Sequence, residues 1–153
     1  MIPTWIVNFP AAEPDRLPVG ILKSTYTDKP LVSVDGESLF GELAILRWMA
    51  KDGWRGVWAD TFHGRKFWDN MPHLSTPTEP PSHVRSVYQE IAGLKGGPGG
   101  CFDAICWKAG RIVWLEYKGP GDNPNKNEPA WIAAALQFGV LLSDLIFVGD
   151  KGR

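Results

Sequence analysis

The chain has 153 residues, of which 44% are hydrophobic and 22% charged, a composition typical of one globular domain large enough to bury a core. No apolar run approaches the roughly 18 residues that a membrane-spanning helix needs, which argues against a membrane partner. The formal net charge of −1 lacks the basic surplus common in proteins that bind the phosphate backbone, although it leaves room for local basic patches.

Cysteine usage and the N-terminus predict where the protein resides. The first residues do not place a basic region before an apolar core, so no secretory signal is expected. Cys101 and Cys106 lie an odd number of positions apart in an apparent strand and should point to opposite faces, where they cannot pair. Unpaired cysteines are typical of a reducing compartment, so we expect an intracellular protein of the cytoplasm, nucleoid or nucleus.

The first third of the chain predicts short strands followed by one helix. Residues 1–37 contain several prolines between short apolar runs such as Leu31–Val34, which indicates an irregular N-terminal extension with short strands. A helix is predicted over about 39–51, with Asp35 or Ser38 as its N-cap. The apolar residues that recur there at helical spacing are Leu39, Leu43, Leu46 and Ala50.

The remaining elements predict a sheet with helices packed against it. A strand within residues 56–62 and a proline-rich irregular segment at 70–82 precede a helix that begins near His83. After the glycine-rich segment 96–100 we expect a strand hairpin, a helix and a last strand. These elements are Cys101–Trp107, Arg111–Lys118, Glu128–Phe138 and Leu145–Val148. The order predicts the α/β class, with a mixed central sheet of about four strands flanked by helices.

The predicted hairpin gathers the residues that suggest chemistry. Side chains alternate along a strand, so Glu116 and Lys118 share one face, and a tight hairpin places Asp103 beside them. Ile112 and Trp114 also share that face, which predicts that it is half-buried. Buried carboxylates must be paired or bound to a metal. An exposed pair of charges at a strand end is the alternative, because a bare Glu-x-Lys triplet arises easily by accident.

This set of side chains suits the hydrolysis of a phosphodiester. Asp103, Glu116 and the carbonyl oxygen of Tyr117 would hold Mg²⁺ or Mn²⁺ through hard oxygen ligands. Lys118 would orient the attacking water or stabilise charge on the phosphate oxygens. Glu42, on or beside the apolar stripe of the first helix, would lean over the sheet and assist the metal; otherwise it reaches solvent at the edge of the stripe.

A longer string of residues resembles a known nuclease family. Asp103-Ala104, then Trp114-Leu115-Glu116-Tyr117-Lys118-Gly119-Pro120-Gly121-Asp122, then Trp131-Ile132, is similar to the VRR-NUC branch of the PD-(D/E)XK nucleases. The likeness covers residues 99–148, and Glu42 matches the acidic residue of the family's first helix. It implies a restriction-endonuclease-like core over 38–148 of a single domain, 1–153. It further implies an Mg²⁺- or Mn²⁺-dependent endonuclease that acts as a homodimer on DNA, branched at junctions or flaps, or duplex.

One position departs from the family pattern. The family has glutamine three residues before the tryptophan of its last helix, and this chain has Glu128, followed by Pro129. A carboxylate cannot donate a hydrogen bond to a phosphate as an amide does, so the contact of Glu128 with nucleic acid should differ. Glu128 and Pro129 would alternatively serve only as a good first helical turn. Lys126, in the neighbouring loop, is predicted to contact the nucleic-acid backbone.

Other interpretations of the sequence stay open. A non-enzymatic nucleic-acid-binding module on the same fold is favoured by Glu128 and opposed by the intact catalytic set. The glycine-rich segment 96–100 suggests a phosphate-binding enzyme, but it lacks the Gly-Lys-Ser/Thr ending of a P-loop, which favours a flexible connector. Trp54, Trp58 and Trp68 have basic neighbours and would stack on bases if they are not part of the core.

Overall fold

The computed structural model describes residues 1–22, 26, 28–61, 65–119, 122 and 126–152. It has the predicted α/β class. The strands are β1 Thr4–Val7, β2 Leu31–Val34, β3 Glu37–Phe40, β4 Arg55–Asp60, β5 Lys66–Trp68, β6 Ala104–Lys108, β7 Arg111–Lys118 and β8 Leu145–Asp150. The helices are α1 Gly41–Ala50, α2 Ser82–Lys95 and α3 Glu128–Phe138, with a short 3-10 turn at Leu142–Asp144. Within the described part of the chain, no helix has the length and apolar character needed to cross a membrane.

The central sheet is mixed and has six strands in the order β1-β8-β7-β6-β4-β5. Strands β5, β4, β6 and β7 pair antiparallel, whereas β7–β8 and β8–β1 pair parallel. The expectation of about four strands is therefore corrected. The two strands not expected in this sheet, β1 and β5, lie at its edges and have four and three residues, which is too short for a clear alternation of apolar and polar side chains. The run Trp5-Ile6-Val7 was expected as a short strand of the N-terminal extension, but its place in the central sheet was not.

The N-terminal residues are more regular than the predicted irregular extension. Thr4–Val7 forms an edge strand of the main sheet, parallel to β8. Leu31–Val34 is a strand as expected, but it pairs with β3 in a separate hairpin. Asp35 and Gly36 form the turn of that hairpin with φ of 51° and 83°, so the prediction of Asp35 as a helix N-cap is wrong. An Asp-Gly pair between apolar strands favours a two-residue hairpin turn instead. Ser38 lies inside β3, so it does not cap the helix either.

Helices cover both faces of the sheet and produce two apolar clusters. The cluster on one face joins α1 and the β2–β3 hairpin to Val113 and Leu115 of β7. The cluster on the other face joins α2 and α3 to Trp114, the residue between them. The alternation predicted for β7 is thus confirmed. Cys106 belongs to the first cluster and Cys101 to the second, and both are buried free thiols, as expected.

Candidate active site

Charged side chains meet at one end of the sheet, where β6 begins and β7 ends. Asp103 directly precedes β6, and Glu116 and Lys118 lie at the C-terminal end of β7. The N-termini of α1 and α3 reach this end from opposite faces and bring Glu42 and Glu128. Each of the three glutamates is only 7% exposed. The sequence prediction that Glu42, Asp103, Glu116 and Lys118 lie together is consistent with the contacts that follow.

The carboxylates of Asp103 and Glu116 are held by backbone amides across the hairpin. Ala104 pairs with Leu115, so the next residue outward on each strand places Asp103 opposite Glu116. The amide of Asp103 donates to Oε1 of Glu116 at 3.0 Å, and the amide of Tyr117 donates to Oδ2 of Asp103 at 2.9 Å. Because each carboxylate accepts a backbone amide of the neighbouring strand, both are fixed side by side without a flexible partner.

Lys118 lies between two glutamates. Its Nζ is 3.2 Å from Oε2 of Glu128 and 3.6 Å from Oε2 of Glu116, and it stands 5.5 Å from the ring centre of Phe147. Burial alone would lower the pKa of Lys118, but the charges of Glu116 and Glu128 raise it above its ordinary value. The ammonium form is therefore the stable one. Glu128 binds this lysine, which the sequence had not predicted for it.

Lys29 is a site residue that sequence reasoning missed. Its Nζ lies 2.6 Å from Oε2 of Glu42 and stands 5.6 and 5.7 Å from the ring centres of Phe40 and Trp58. Burial would lower the pKa of Lys29, and the charge and hydrogen bond of Glu42, with a contribution from Asp103, raise it overall. An isolated lysine in an irregular segment shows no motif, so only the tertiary contact identifies it.

The carboxylates of the site repel one another. Burial and the charge of Glu42 raise the pKa of Asp103, although a hydrogen bond with the Glu116 carboxyl, the charge of Lys29 and the amide of Tyr117 act in the opposite direction. Burial, the charge of Asp103 and the carboxyl of Glu128 raise the pKa of Glu116 well above its ordinary range. Both shifts have the sign expected when several acids share a partly dry space with too little positive charge.

Tyr117 connects the site to helix α1. Its side chain lies on the face opposite Glu116, and its hydroxyl donates to Oδ2 of Asp150 at 2.7 Å. A Cβ atom added to Gly41 would overlap the tyrosine ring, so glycine at the first position of α1 permits the close approach that places Glu42. The Tyr117 amide is committed to Asp103, and the use of its carbonyl by a metal remains a prediction.

Two turns bring the surrounding segments close. Gly100 approaches the backbone of Asn127, the residue before α3, so closely that any added Cβ would overlap it. This approach joins the start of β6 to the start of α3. Asp122, the last residue of the family-like string, accepts the amide of Gly119 through Oδ2 at 2.7 Å. Residues 120 and 121 of that string lie outside the described part of the chain.

The remaining candidates for nucleic-acid contact divide by exposure. Lys126 is exposed two positions before Glu128. Trp58 and Trp68 are only 4% and 6% exposed, so they belong to the core and cannot stack on bases. Trp54 is half-buried near the opposite end of β6 and β7, with Lys108 and Arg111 over its ring at 5.9 Å each.

The donor set fits a small, hard divalent cation bound partly through water. Among the residues that the structure describes, no group of three or more His, Cys, Asp or Glu side chains is arranged around one point as a metal site. Mg²⁺ commonly uses one or two carboxylates and completes its shell with water and substrate oxygens. The adjacent carboxylates of Asp103 and Glu116 supply that number, and their pKa values are raised first by burial and then by the charges of neighbouring carboxylates.

Comparison of the chain with protein-family models, with curated proteins and with solved structures finds no match in any of the three.

Proposed function

We propose that this protein is an Mg²⁺- or Mn²⁺-dependent endonuclease with a restriction-endonuclease-like core that hydrolyses phosphodiester bonds in DNA. The observation that carries the proposal is the pair of backbone hydrogen bonds that holds the carboxylates of Asp103 and Glu116 side by side, with Lys118 two residues beyond Glu116 on β7. Two fixed carboxylates and a protonated lysine at one end of the sheet suit phosphate chemistry. The preference for junctions or flaps and a homodimeric state rest on the resemblance of the motif alone.

Each side chain has a defined task in the proposed reaction. Asp103 and Glu116 would hold the cation, which when bound polarises the scissile phosphate and lowers the pKa of a bound water. Lys118 stays protonated beside Glu116 and stabilises the charge that develops on the phosphate oxygens. Glu42 would assist from the opposite face of the sheet. Lys126, which is exposed, contributes an attraction for the backbone that weakens as salt rises.

Metal dependence is the direct test. We expect purified protein to cleave labelled junction, flap or duplex DNA in Mg²⁺ or Mn²⁺ and to be inactive in EDTA. Asp103→Asn and Glu116→Gln, which keep the shape of the side chain, should abolish cleavage while circular dichroism stays unchanged. Glu37→Gln is the matched control, because Glu37 is an exposed carboxylate that pairs with Arg47 away from the site. Undiminished cleavage in EDTA, or by either site variant, would refute the proposed mechanism.

A DNA-binding module without catalysis is the second candidate. The contact of Lys118 with Glu128 favours it, because this glutamate replaces the family's amide and holds the lysine that would otherwise face the phosphate. Fluorescence anisotropy with uncut branched, duplex and single-stranded DNA, run beside the cleavage assay, separates the two candidates. Tight binding by the wild type without cleavage in any metal would favour the binding module.

A further inference from the structure

Lys29 reaches the site from outside the family-like segment and holds Glu42 closely. The ammonium–carboxylate distance is 2.6 Å, and the lysine side chain is 29% exposed against 9% for the glutamate side chain. Phe40 and Trp58 line the other side of the ammonium group. A short ion pair packed against two aromatic rings is more ordered than an exposed surface pair. A metal cation that binds Glu42 must therefore compete with Lys29.

The balance of charges in the site matches one divalent cation. Four carboxylates, from Glu42, Asp103, Glu116 and Glu128, face two ammonium groups, from Lys29 and Lys118. With all four carboxyl groups ionised, as a bound cation would favour, the cluster is short of two positive charges, and the exposed Asp122 adds a weaker negative field at Lys29. Removing Lys29 alone would increase the shortage to three and would release Glu42 as an additional oxygen ligand.

We propose that Lys29 is a resident counter-cation that competes with metal for Glu42 and limits the site to one divalent ion. The inference rests on the proposed function, since it assumes a metal bound at Asp103 and Glu116. It assigns Glu42 to Lys29 in the metal-bound protein too, so that Glu42 acts on the metal through the electrostatic field and not as a direct ligand. Lys29 is thus a residue that determines cation affinity and number.

Manganese binding measures this role without any cleavage assay. Isothermal titration calorimetry and electron paramagnetic resonance of Mn²⁺ would be run on the wild type, Lys29→Met, Lys29→Arg, Glu42→Gln and the Lys29→Met/Glu42→Gln double variant. Lys29→Met keeps the apolar stem over the two rings and removes the charge. Lys51→Met is the control, because it removes another α1-region lysine whose carboxylate partner, Asp35, lies on the exposed hairpin turn.

We expect the wild type and Lys29→Arg to bind one Mn²⁺ with similar affinity. Lys29→Met should bind Mn²⁺ about tenfold or more tightly, since a unit charge near a divalent ion at an effective dielectric of about 20 is worth more than the 1.4 kcal/mol that corresponds to a tenfold change. Binding of a second Mn²⁺ by Lys29→Met would equally support the inference. The double variant should return close to the wild-type affinity, because both charges are gone.

Several results would overturn the inference. Unchanged Mn²⁺ affinity in Lys29→Met would make Lys29 a packing residue, and weaker binding would make it a support that holds Glu42 as a ligand. Lys29→Gln replaces Lys29→Met in the same comparison if circular dichroism shows that the methionine variant is unfolded. If the wild type binds Mn²⁺ and Glu116→Gln does not, a failure at Lys29 refutes only this inference. A wild type that binds no Mn²⁺ refutes the proposed function itself.

Discussion

At the scale of single residues, two lysines near the site have opposite surroundings. Lys118 is half-buried between Glu116 and Glu128, whereas Lys126 is exposed. A lysine fixed among reacting groups acts on charge in the transition state, so its loss lowers turnover more than binding. We expect Lys118→Met to lose on the order of 10² or more in turnover at saturating DNA, with only a modest change in affinity for uncut DNA.

Lys126→Met is the matched comparison for that variant. Its loss should weaken DNA binding, reduce the salt dependence of the affinity, and leave turnover at saturation close to that of the wild type. Single-turnover cleavage and anisotropy titrations at two salt concentrations measure both quantities. Normal cleavage by Lys118→Met once DNA is saturating would mean that Lys118 only positions the substrate.

The residues that the sequence could predict are those whose relation is local. Asp103, Glu116 and Lys118 lie in one hairpin, where strand alternation and a tight turn determine which side chains meet. The ion pairs made by Lys29 and Glu128 could not be predicted, because each joins segments whose approach depends on packing. Lys29 meets Glu42 only after the β2–β3 hairpin folds onto α1.

At the scale of elements, glycine at the start of α1 sets the distance between this helix and β7. An added Cβ at Gly41 overlaps the ring of Tyr117, so Gly41→Ala must displace the helix, the ring or both. Such overpacking costs about 1–3 kcal/mol of unfolding free energy. Since Tyr117 also binds Asp103 and Glu42 follows Gly41, the displacement should lower cleavage as well as stability. Urea unfolding and the cleavage assay measure the two effects.

Gly93→Ala provides the control for this substitution. Gly93 lies within α2, and a Cβ added there meets nothing within 4 Å. Alanine at that position should raise the unfolding free energy by about 0.5–1 kcal/mol, because it restricts the unfolded chain and favours helix. A loss at Gly93 equal to that at Gly41, or no loss at Gly41, would contradict the close approach of α1 and β7.

The helices and strands that the sequence could predict are likewise those fixed by local signals, whereas the others depend on long-range contacts. The range predicted for α3, Glu128–Phe138, and that for β7, Arg111–Lys118, agree with the structure, because Pro129 and a tight Ala109-Gly110 turn fix their starts. The edge strands β1 and β5 depend on a partner strand for their hydrogen bonds. The N-cap of α1 was misassigned because the Asp35–Gly36 signal belongs to a hairpin turn.

At the scale of the whole molecule, the buried carboxyl groups of the site should lower the free energy of unfolding. Raised pKa values mean that the folded protein binds protons at Asp103 and Glu116 more tightly than the unfolded chain does. The free energy of unfolding of the metal-free protein should therefore fall as the pH rises above the ordinary carboxyl range, in which unfolded carboxyls already ionise. A bound divalent cation would offset this loss, because it binds the folded state alone.

Glu116→Gln should stabilise the metal-free protein and remove its stabilisation by metal. The amide oxygen can still accept the backbone amide of Asp103, and Lys118 keeps Glu128 as a partner, so the fold should persist. Without the cost of burying an ionisable carboxyl beside Asp103, the metal-free variant should melt above the metal-free wild type at about pH 8, by roughly 2–4 °C for each kcal/mol gained. The difference should shrink at about pH 5, where protonation already relieves the repulsion in the wild type.

Adding metal should then raise the melting temperature of the wild type but not that of Glu116→Gln. A cation at 100 times its dissociation constant stabilises a folded protein by about 2.7 kcal/mol, a shift that scanning calorimetry resolves easily. Glu37→Gln should follow the wild type in both conditions, since Glu37 pairs with Arg47 at the surface. Glu116→Gln should not respond to Mg²⁺ or Mn²⁺, because one of its two metal carboxylates is gone. An equal rise with metal in Glu116→Gln would place the cation elsewhere, and a metal-free variant less stable than the wild type would show that Glu116 serves the fold.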